Sequence, residues 1–368
     1  MGAEAKRLVL SGYYGFGNSG DEAVLQSILL ALKQQGEVWG IPIHPVVLSA
    51  NPEQTSKMYG VEAFHRMKPV QVWNALRSSD GLISGGGSLL QDATSSKTIP
   101  YYLAIIKLAQ WQNKPVFVYS QGVGPVHNHK FYNWIRSTLD RCAYISVRDR
   151  ESAQLLGEMR LPAERIAVVP DPVMGLPLRT ETGPGSREEV PIVGVSVRFW
   201  NQDRSELEAL AGALGQLHAE TGIKLRFLPF HLPSDTEASE YVMERLSPEA
   251  RGPAAIVAGI THPQDMLAEV SACDLLIGMR LHSLIYAASQ YVPMIGISYD
   301  PKIDHFLNRL GMQVAASTAA FNPGKVVREA LELLQNRKTW VEKKTAAIQK
   351  LKEESHEPAK QIAAFLAK

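Results

Sequence analysis

Several short segments of this chain set cations or glycines where a strand should give way to a helix, and these are its candidates for chemistry. The sharpest is residues 278–283, GMRLHS, which follows the apolar run 275–277 and precedes a helical pattern over 284–289. That placement puts Arg280 and His282 at a helix N-terminus, where unpaired N–H groups and the helix dipole favour an anion. A guanidinium there adds paired bonds to phosphate or carboxylate. His282 can move a proton near neutral pH, and Ser283 contributes a hydroxyl. The competing structural role is an arginine paired with a carboxylate and a histidine packed as a cap.

Residues 144–152, YISVRDRES, carry a strand into charge, so Arg148 lies at the strand's carboxyl end. Asp149, Arg150 and Glu151 read as a solvated helix start that complements the dipole. Lys302 in YDPK opens a further helix and either faces the same site or is simply exposed. Arg198 (SVR) and His231 (PFH) end strands in the second half of the chain. His127 and His129 read as loop histidines, and no His and carboxylate cluster has metal-ligand spacing. No metal or other cofactor is expected.

Three glycine-bearing turns accompany these cations. Residues 12–22, GYYGFGNSGDE, lead from a strand into a long helix with Asn18 or Ser19 as N-cap, and expose backbone N–H groups suited to a phosphate or a sugar hydroxyl. The segment lacks a P-loop lysine and the dinucleotide glycine spacing. It also carries Asp21, a candidate base. In 85–92, GGGSLLQD, three glycines around Gly86 imply close approach of the backbone to a ligand or to a packed helix. In 121–125, QGVGP, Gln121 can hydrogen-bond a polar substrate.

The elements that must position these groups alternate. Strands are expected over 8–12, 46–49, 81–84, 116–120, 144–147 and 166–169, with helices over 21–35 (ended by Gly36), 99–112, 129–140 and 152–159. Residues 179–191 gather Gly, Pro and charge and read as a linker. Strands then resume over 192–197, 225–229, 255–258, 275–277 and 294–297, with helices such as 205–220 and 266–272. The expected layout is an N-terminal α/β domain over 1–178, the linker, a second α/β domain over 192–324 and C-terminal helices over 325–368. Alternation implies parallel sheets with ligands beyond the strands' carboxyl ends, so two such Rossmann-like domains are expected to face a central cleft.

At 368 residues, two cores are more economical than one. A net charge of +1 lacks the broad basic footprint of a nucleic-acid binder, so any anion must be captured by a few placed cations. Cys142 and Cys273, the only cysteines, stand far apart and suit a reduced cytoplasm. No apolar run reaches the length of a membrane helix. Within the tail, residues 337–354 mix lysines with Trp340, Lys344, Ala347 and Leu351 on one stripe. That pattern suits either packing or contact with a membrane surface.

Taken in order, GNSGDE, SGGGSLLQD, SQGVGP, SVRDRES, GMRLHS and YDPKI resemble the polysaccharide pyruvyltransferase family, and within it the CsaB-type cell-wall enzymes. The resemblance implies a glycosyltransferase-B-like fold and transfer of pyruvate from phosphoenolpyruvate onto two hydroxyls of one sugar, giving a cyclic ketal and phosphate. For CsaB-type members it implies a lipid-linked acceptor containing N-acetylmannosamine, modified at its 4- and 6-hydroxyls, used at the inner face of the cell membrane. It carries donor-binding roles onto Arg148 and onto Arg280, Leu281 and His282. With that chemistry His282 is expected to be the general acid and Asp21 the acceptor-side base. The alternatives are a nucleotide-sugar glycosyltransferase or 2-epimerase, and a non-catalytic sugar-phosphate binding protein.

Overall fold

A computed structural model describes residues 4–93, 95–179 and 190–368. Most of the expected linker, residues 180–189, lies outside the described residues. Among the described residues thirteen strands form two parallel sheets. The first holds β1 (Lys6–Ser11), β2 (Ile43–Ser49), β3 (Glu62–His65), β4 (Gly81–Gly85), β5 (Val116–Gln121), β6 (Tyr144–Val147) and β7 (Ala167–Val168), in the order β3-β2-β1-β4-β5-β6-β7. The second holds β8 (Ile192–Ser196), β9 (Lys224–Phe227), β10 (Ala255–Ile256), β11 (Leu275–Gly278), β12 (Met294–Ser298) and β13 (Ala316–Ser317), in the order β10-β9-β8-β11-β12-β13.

Both sheets are doubly wound, because the central strands are short and apolar and helices return the chain to start each next parallel strand. In the first sheet Val9, Leu82, Val116 and Val118 turn to a face covered by Leu103, Ile106, Ile135 and Leu139. Leu8, Leu10, Leu25 and Ile28 are buried as well, so apolar residues at successive positions of β1 are all covered. In the second, Val193, Val195, Leu275 and Ile277 pack with Leu207, Leu210, Leu214 and Val326. The opposite face of β12 carries Gly296, where a Cβ would lie 2.6 Å from Leu307, so that helix rests almost directly on the strand. Cys142 and Cys273 are buried in these layers, and burial pushes each thiol up to about 12. No helix among the described residues is long and apolar enough to cross a membrane.

Two compact units result. One comprises Met1–Phe16, Asp21–Gly175 and Leu351–Lys368; the other comprises Gly17–Gly20 and Leu176–Lys350. The division differs from the expected 178/192/324 boundaries at the tail. Helix Glu357–Leu366 packs on β5 and β6 with Phe365 edge-on to Phe117, which places the last residues in the first unit. The tail stripe is also settled by packing: Trp340, Ile348 and Leu351 are buried, and Lys344 donates to the carbonyls of Leu310 and Gly311 at 2.8 and 3.0 Å. The first long helix, Ser19–Trp39, does not stop at Gly36. A Cβ at Gly36 would sit 2.7 Å from the Ile41 carbonyl, so this glycine admits the returning chain, and the helix ends before Gly40 in the left-handed region.

Candidate active site

A doubly wound sheet reverses its strand order at one point, and loops diverge there to leave a binding crevice. In the second unit that point lies between β8 and β11. Arg198 follows β8, and Arg280 follows β11 as the N-cap of helix Leu281–Ser289, in extended backbone with no side-chain cap of its own. Arg280 binds a carboxylate that the sequence reading did not single out. Its Nε donates to Asp235 Oδ2 at 2.9 Å and its Nη2 donates to Asp235 Oδ1, with Asp235 fully buried. Asp235 also accepts the backbone N–H groups of Phe230 and His231 at 3.2 and 2.9 Å. The pair therefore fixes the guanidinium in one plane. Nη1 makes no part of either of these two bonds.

His231 stands within the field of both arginines. Burial lowers its pKa first, and the positive charges of Arg280 and Arg198 lower it further against the opposing effect of Asp235. Arg198 donates from Nη1 to the Tyr299 hydroxyl at 3.0 Å and lies over the Tyr299 and Trp200 rings at 4.6 and 5.1 Å. Lys302 approaches the same Tyr299 ring at 5.7 Å, with its Nζ 3.0 Å from Asp300 Oδ2. Tyr299 thus lies against both Arg198 and Lys302, and the charges of Arg198 and Arg280 both act on His231. The structure gathers Arg198, His231, Arg280 and Lys302 in one unit.

His282 occupies the first turn after Arg280 and meets the segment Gly17–Gly20. A Cβ at Gly20 would lie 2.1 Å from His282 Nδ1, so only glycine lets the imidazole lie there. Asn18 holds this segment in place: its Oδ1 accepts the Gly20 N–H at 3.0 Å, as the N-cap of helix Ser19–Trp39, and its backbone forms a bridge to His231. Ser19 N donates to the Phe230 carbonyl at 2.7 Å, and the Tyr286 hydroxyl donates to the Ser19 carbonyl at 3.1 Å. Two expected binding residues serve the fold instead. Ser283 is buried, and its hydroxyl donates to the Arg280 carbonyl at 2.7 Å, closing the turn. Leu281 is a buried apolar residue.

In the first unit the order reverses between β1 and β4, and both loops there are the expected glycine turns. The 12–16 loop is pinned from inside: Tyr14 OH donates to Gly85 O at 2.8 Å, and the Gly15 N–H donates to Glu22 Oε1 at 2.7 Å. Burial raises the Glu22 carboxyl, while that bond and one from Tyr59 lower it. Tyr13 and Phe16 stack with centroids 4.0 Å apart. Arg66, buried and unanticipated, donates to the Gly12 carbonyl at 2.9 Å and to the Tyr102 hydroxyl at 3.2 Å, and covers the Tyr101 ring at 4.3 Å. Asp21 lies close enough to push the Tyr13 hydroxyl up, second only to burial, against the pull of Arg66.

Gly86 turns out to be a packing glycine: it has φ +66°, and a Cβ there would lie 1.8 Å from Val24 Cγ1 on the covering helix. Gln121 is fully buried, and its amide makes no hydrogen bond among the described residues. Arg148 is buried at the end of β6, with Nη2 donating to Ser88 Oγ at 2.7 Å and with Asp149 and Asp171 at 3.5 and 3.7 Å. Asp149 also accepts the Ser152 N–H as the cap of helix Arg150–Glu158. No group of three or more His, Cys, Asp or Glu among the described residues is arranged to hold a metal ion.

Two doubly wound parallel sheets define a protein of the glycosyltransferase-B-like class, and solved structures agree. HepE of Anabaena, determined with UDP and glucose, is similar with a TM-score of 0.65 and 11% identity, over 98% of this chain and 99% of that one. A glycosyltransferase from Rickettsia africae gives 0.64 and 12% over 99% and 98%. The UDP-GlcNAc 2-epimerase of Neisseria meningitidis, bound to UDP-GlcNAc, gives 0.62 and 11% over 98% and 99%. A search of the curated proteins found no match. The family model for polysaccharide pyruvyl transferase matches residues 18–301, and the chain belongs to that family. It is accordingly a transferase, as its motifs imply.

Proposed function

We propose that the protein transfers pyruvate from phosphoenolpyruvate to two hydroxyls of one sugar, with N-acetylmannosamine in a lipid-linked wall precursor as acceptor and its 4- and 6-hydroxyls as the sites. The observation that carries this reading is the gathering of Arg198, Arg280 and Lys302 around His231 and Tyr299, next to His282. Phosphoenolpyruvate brings a carboxylate and a phosphate on one carbon. Binding it means replacing two hydration shells with placed cations.

In the reaction the donor's methylene carbon takes a proton and becomes a methyl group. Its C2 gains bonds to two sugar oxygens and loses its bond to the phosphate oxygen. The two hydroxyl protons balance the methyl group and the departing phosphate. His282 is the proposed general acid, Asp21 the proposed base towards the sugar, and Arg148 the anion-binding arginine of the first unit. Charge build-up at C2 resembles an oxocarbenium ion, and the leaving phosphate is stabilised by fixed positive groups.

His282→Ala should lower turnover by about 10²- to 10⁴-fold, the usual worth of one proton-transfer partner, while phosphoenolpyruvate still binds. Phosphate release in the presence of a synthetic lipid-linked acceptor measures the first and calorimetry the second. Near-normal turnover would remove the role. The nucleotide-sugar alternative rests on fold likeness at 10 to 12% identity, whereas the family match favours pyruvyl transfer. Heat released on titration with a uridine diphosphate sugar, and none with phosphoenolpyruvate, would reverse that preference.

A further inference from the structure

The turn after β3 does two things at once. It carries Arg66 inward to the Gly12 carbonyl and the Tyr101 ring, and it leaves Met67 and then Val70 and Trp73 of helix Pro69–Arg77 outside. Met67 is 64% exposed, Val70 72% and Trp73 42%. The other side of the helix holds it firmly, since Val72, Ala75 and Leu76 are buried. The turn itself is tied down: Arg66 N donates to Ser49 O at 2.9 Å, Lys68 N to His65 O at 3.0 Å, and Tyr101 OH to Arg66 O at 3.1 Å. Three large apolar side chains are therefore displayed on a fixed scaffold.

Charge along this segment is one-sided. No Asp or Glu occurs between Glu62 and Asp80, while Lys68 and Arg77 lie exposed in that stretch. The two bounding acids are engaged, Glu62 with the Arg7 guanidinium at 2.7 Å and Asp80 with the Arg7 N–H at 2.7 Å. Another exposed apolar pair in this unit, Val38 and Trp39, follows directly on Glu37 and lacks this bias. Apolar side chains flanked by cations, without acids, complement an anionic lipid surface, where the chains enter the headgroup boundary and the cations meet lipid phosphates. The tail helix Arg337–Glu354 is not available for this, because its apolar stripe is buried.

We infer that Met67, Val70 and Trp73, with Lys68 and Arg77, form the face by which this protein docks on an anionic membrane. The purpose rests on the reading that the acceptor is lipid-linked: the same turn that meets lipid outside holds Arg66 against the glycine loop inside the first unit. The docking itself can be measured without any turnover.

The test is co-sedimentation of the full chain with vesicles of phosphatidylglycerol and phosphatidylcholine, and with phosphatidylcholine alone. Binding should require the anionic lipid and weaken as salt is raised. The triple variant Met67→Ser/Val70→Ser/Trp73→Ser should lose about tenfold or more in partitioning with its circular dichroism unchanged. Lys68→Gln/Arg77→Gln should bind several-fold less, with a shallower salt dependence. Both variants should pyruvylate a short water-soluble acceptor as the parent does. If the parent ignores anionic vesicles, or the triple variant binds them equally, the inference falls. It also falls if the parent is a dimer in solution that the triple substitution dissociates, since a second copy would then cover the face. Vesicle binding without any phosphate release would instead retain the inference and overturn the pyruvyltransfer reading.

Discussion

The two units place different materials at the same topological position. Where the first sheet reverses its order, between β1 and β4, the loops are built of glycines and aromatics around a buried Arg66. Where the second reverses, between β8 and β11, they carry Arg198, Arg280 and His282. Each unit also uses an arginine held by acid: Arg148 by half-buried Asp149 and buried Asp171, Arg280 by buried Asp235. The difference lies in what surrounds the arginine. Arg280 has histidines beside it and a second cation within reach of the same histidine, whereas Arg148 is bonded to Ser88 and crowded by Gly122, whose Cβ would come within 2.9 Å of the guanidinium. A fold repeated twice thus separates shape, which the first unit supplies through its backbone, from charge, which the second concentrates in side chains.

The comparison can be broken most directly at the Arg280–Asp235 pair. Arg280→Ala should destabilise the protein by roughly 3–5 kcal/mol in urea unfolding, because a fully buried carboxylate loses its cation. Arg280→Leu/Asp235→Leu should recover part of that stability, since the Phe230 and His231 N–H groups lose their acceptor, without recovering turnover. Recovery of both would make the pair purely structural. The glycines come next. Gly20→Ala displaces the His282 ring and should lower turnover about 10²-fold with little loss of stability. Gly86→Ala, wedged against Val24 at positive φ, should instead cost about 1–3 kcal/mol of stability. Equal behaviour of the two variants in unfolding and phosphate-release assays would erase the contrast between the units.

Gln121→Leu separates structure from binding within the first unit. The buried amide has no protein partner to lose, so stability should change by less than about 1 kcal/mol, and any fall in turnover would report a substrate contact. The smallest effect concerns pH. His231, His262 and His356 are all lowered below 6.5, chiefly by burial. Between their folded values and 6.5 the unfolded chain binds more protons, so stability should decline as pH falls through that window. His231→Gln should make the decline of the urea midpoint between pH 7.5 and 5.5 slightly shallower.

Much of this architecture was legible in local pattern. The runs at 116–120 and 275–277 sit in central strands buried on both faces, so they are continuous and apolar. β3 was not legible: it is an edge strand of four residues, EAFH, with no buried position, and missing it hid Arg66, which follows that strand. Asp235 escaped for another reason. Its segment, SDTEASE, has the acids of an ordinary solvated helix start, and only tertiary folding turns one of them inward to Arg280. Arg280, His282, Arg198 and His231 could be singled out because strand ends are visible in sequence, and Arg198 and Arg280 do follow β8 and β11. That Ser283 and Gly86 serve packing was not, since a buried hydroxyl and an exposed one are spelled the same way.

The return of helix Glu357–Leu366 to β5 and β6 has a consequence for the order of assembly. The first unit draws on segments either side of Leu176–Lys350, so residues 351–368 join it only after the whole of that stretch has been translated. Until Phe365 reaches Phe117, the nascent N-terminal sheet has an uncovered patch over β5 and β6. A stop codon ahead of Glu357 would therefore wound a sheet that was synthesised long before it.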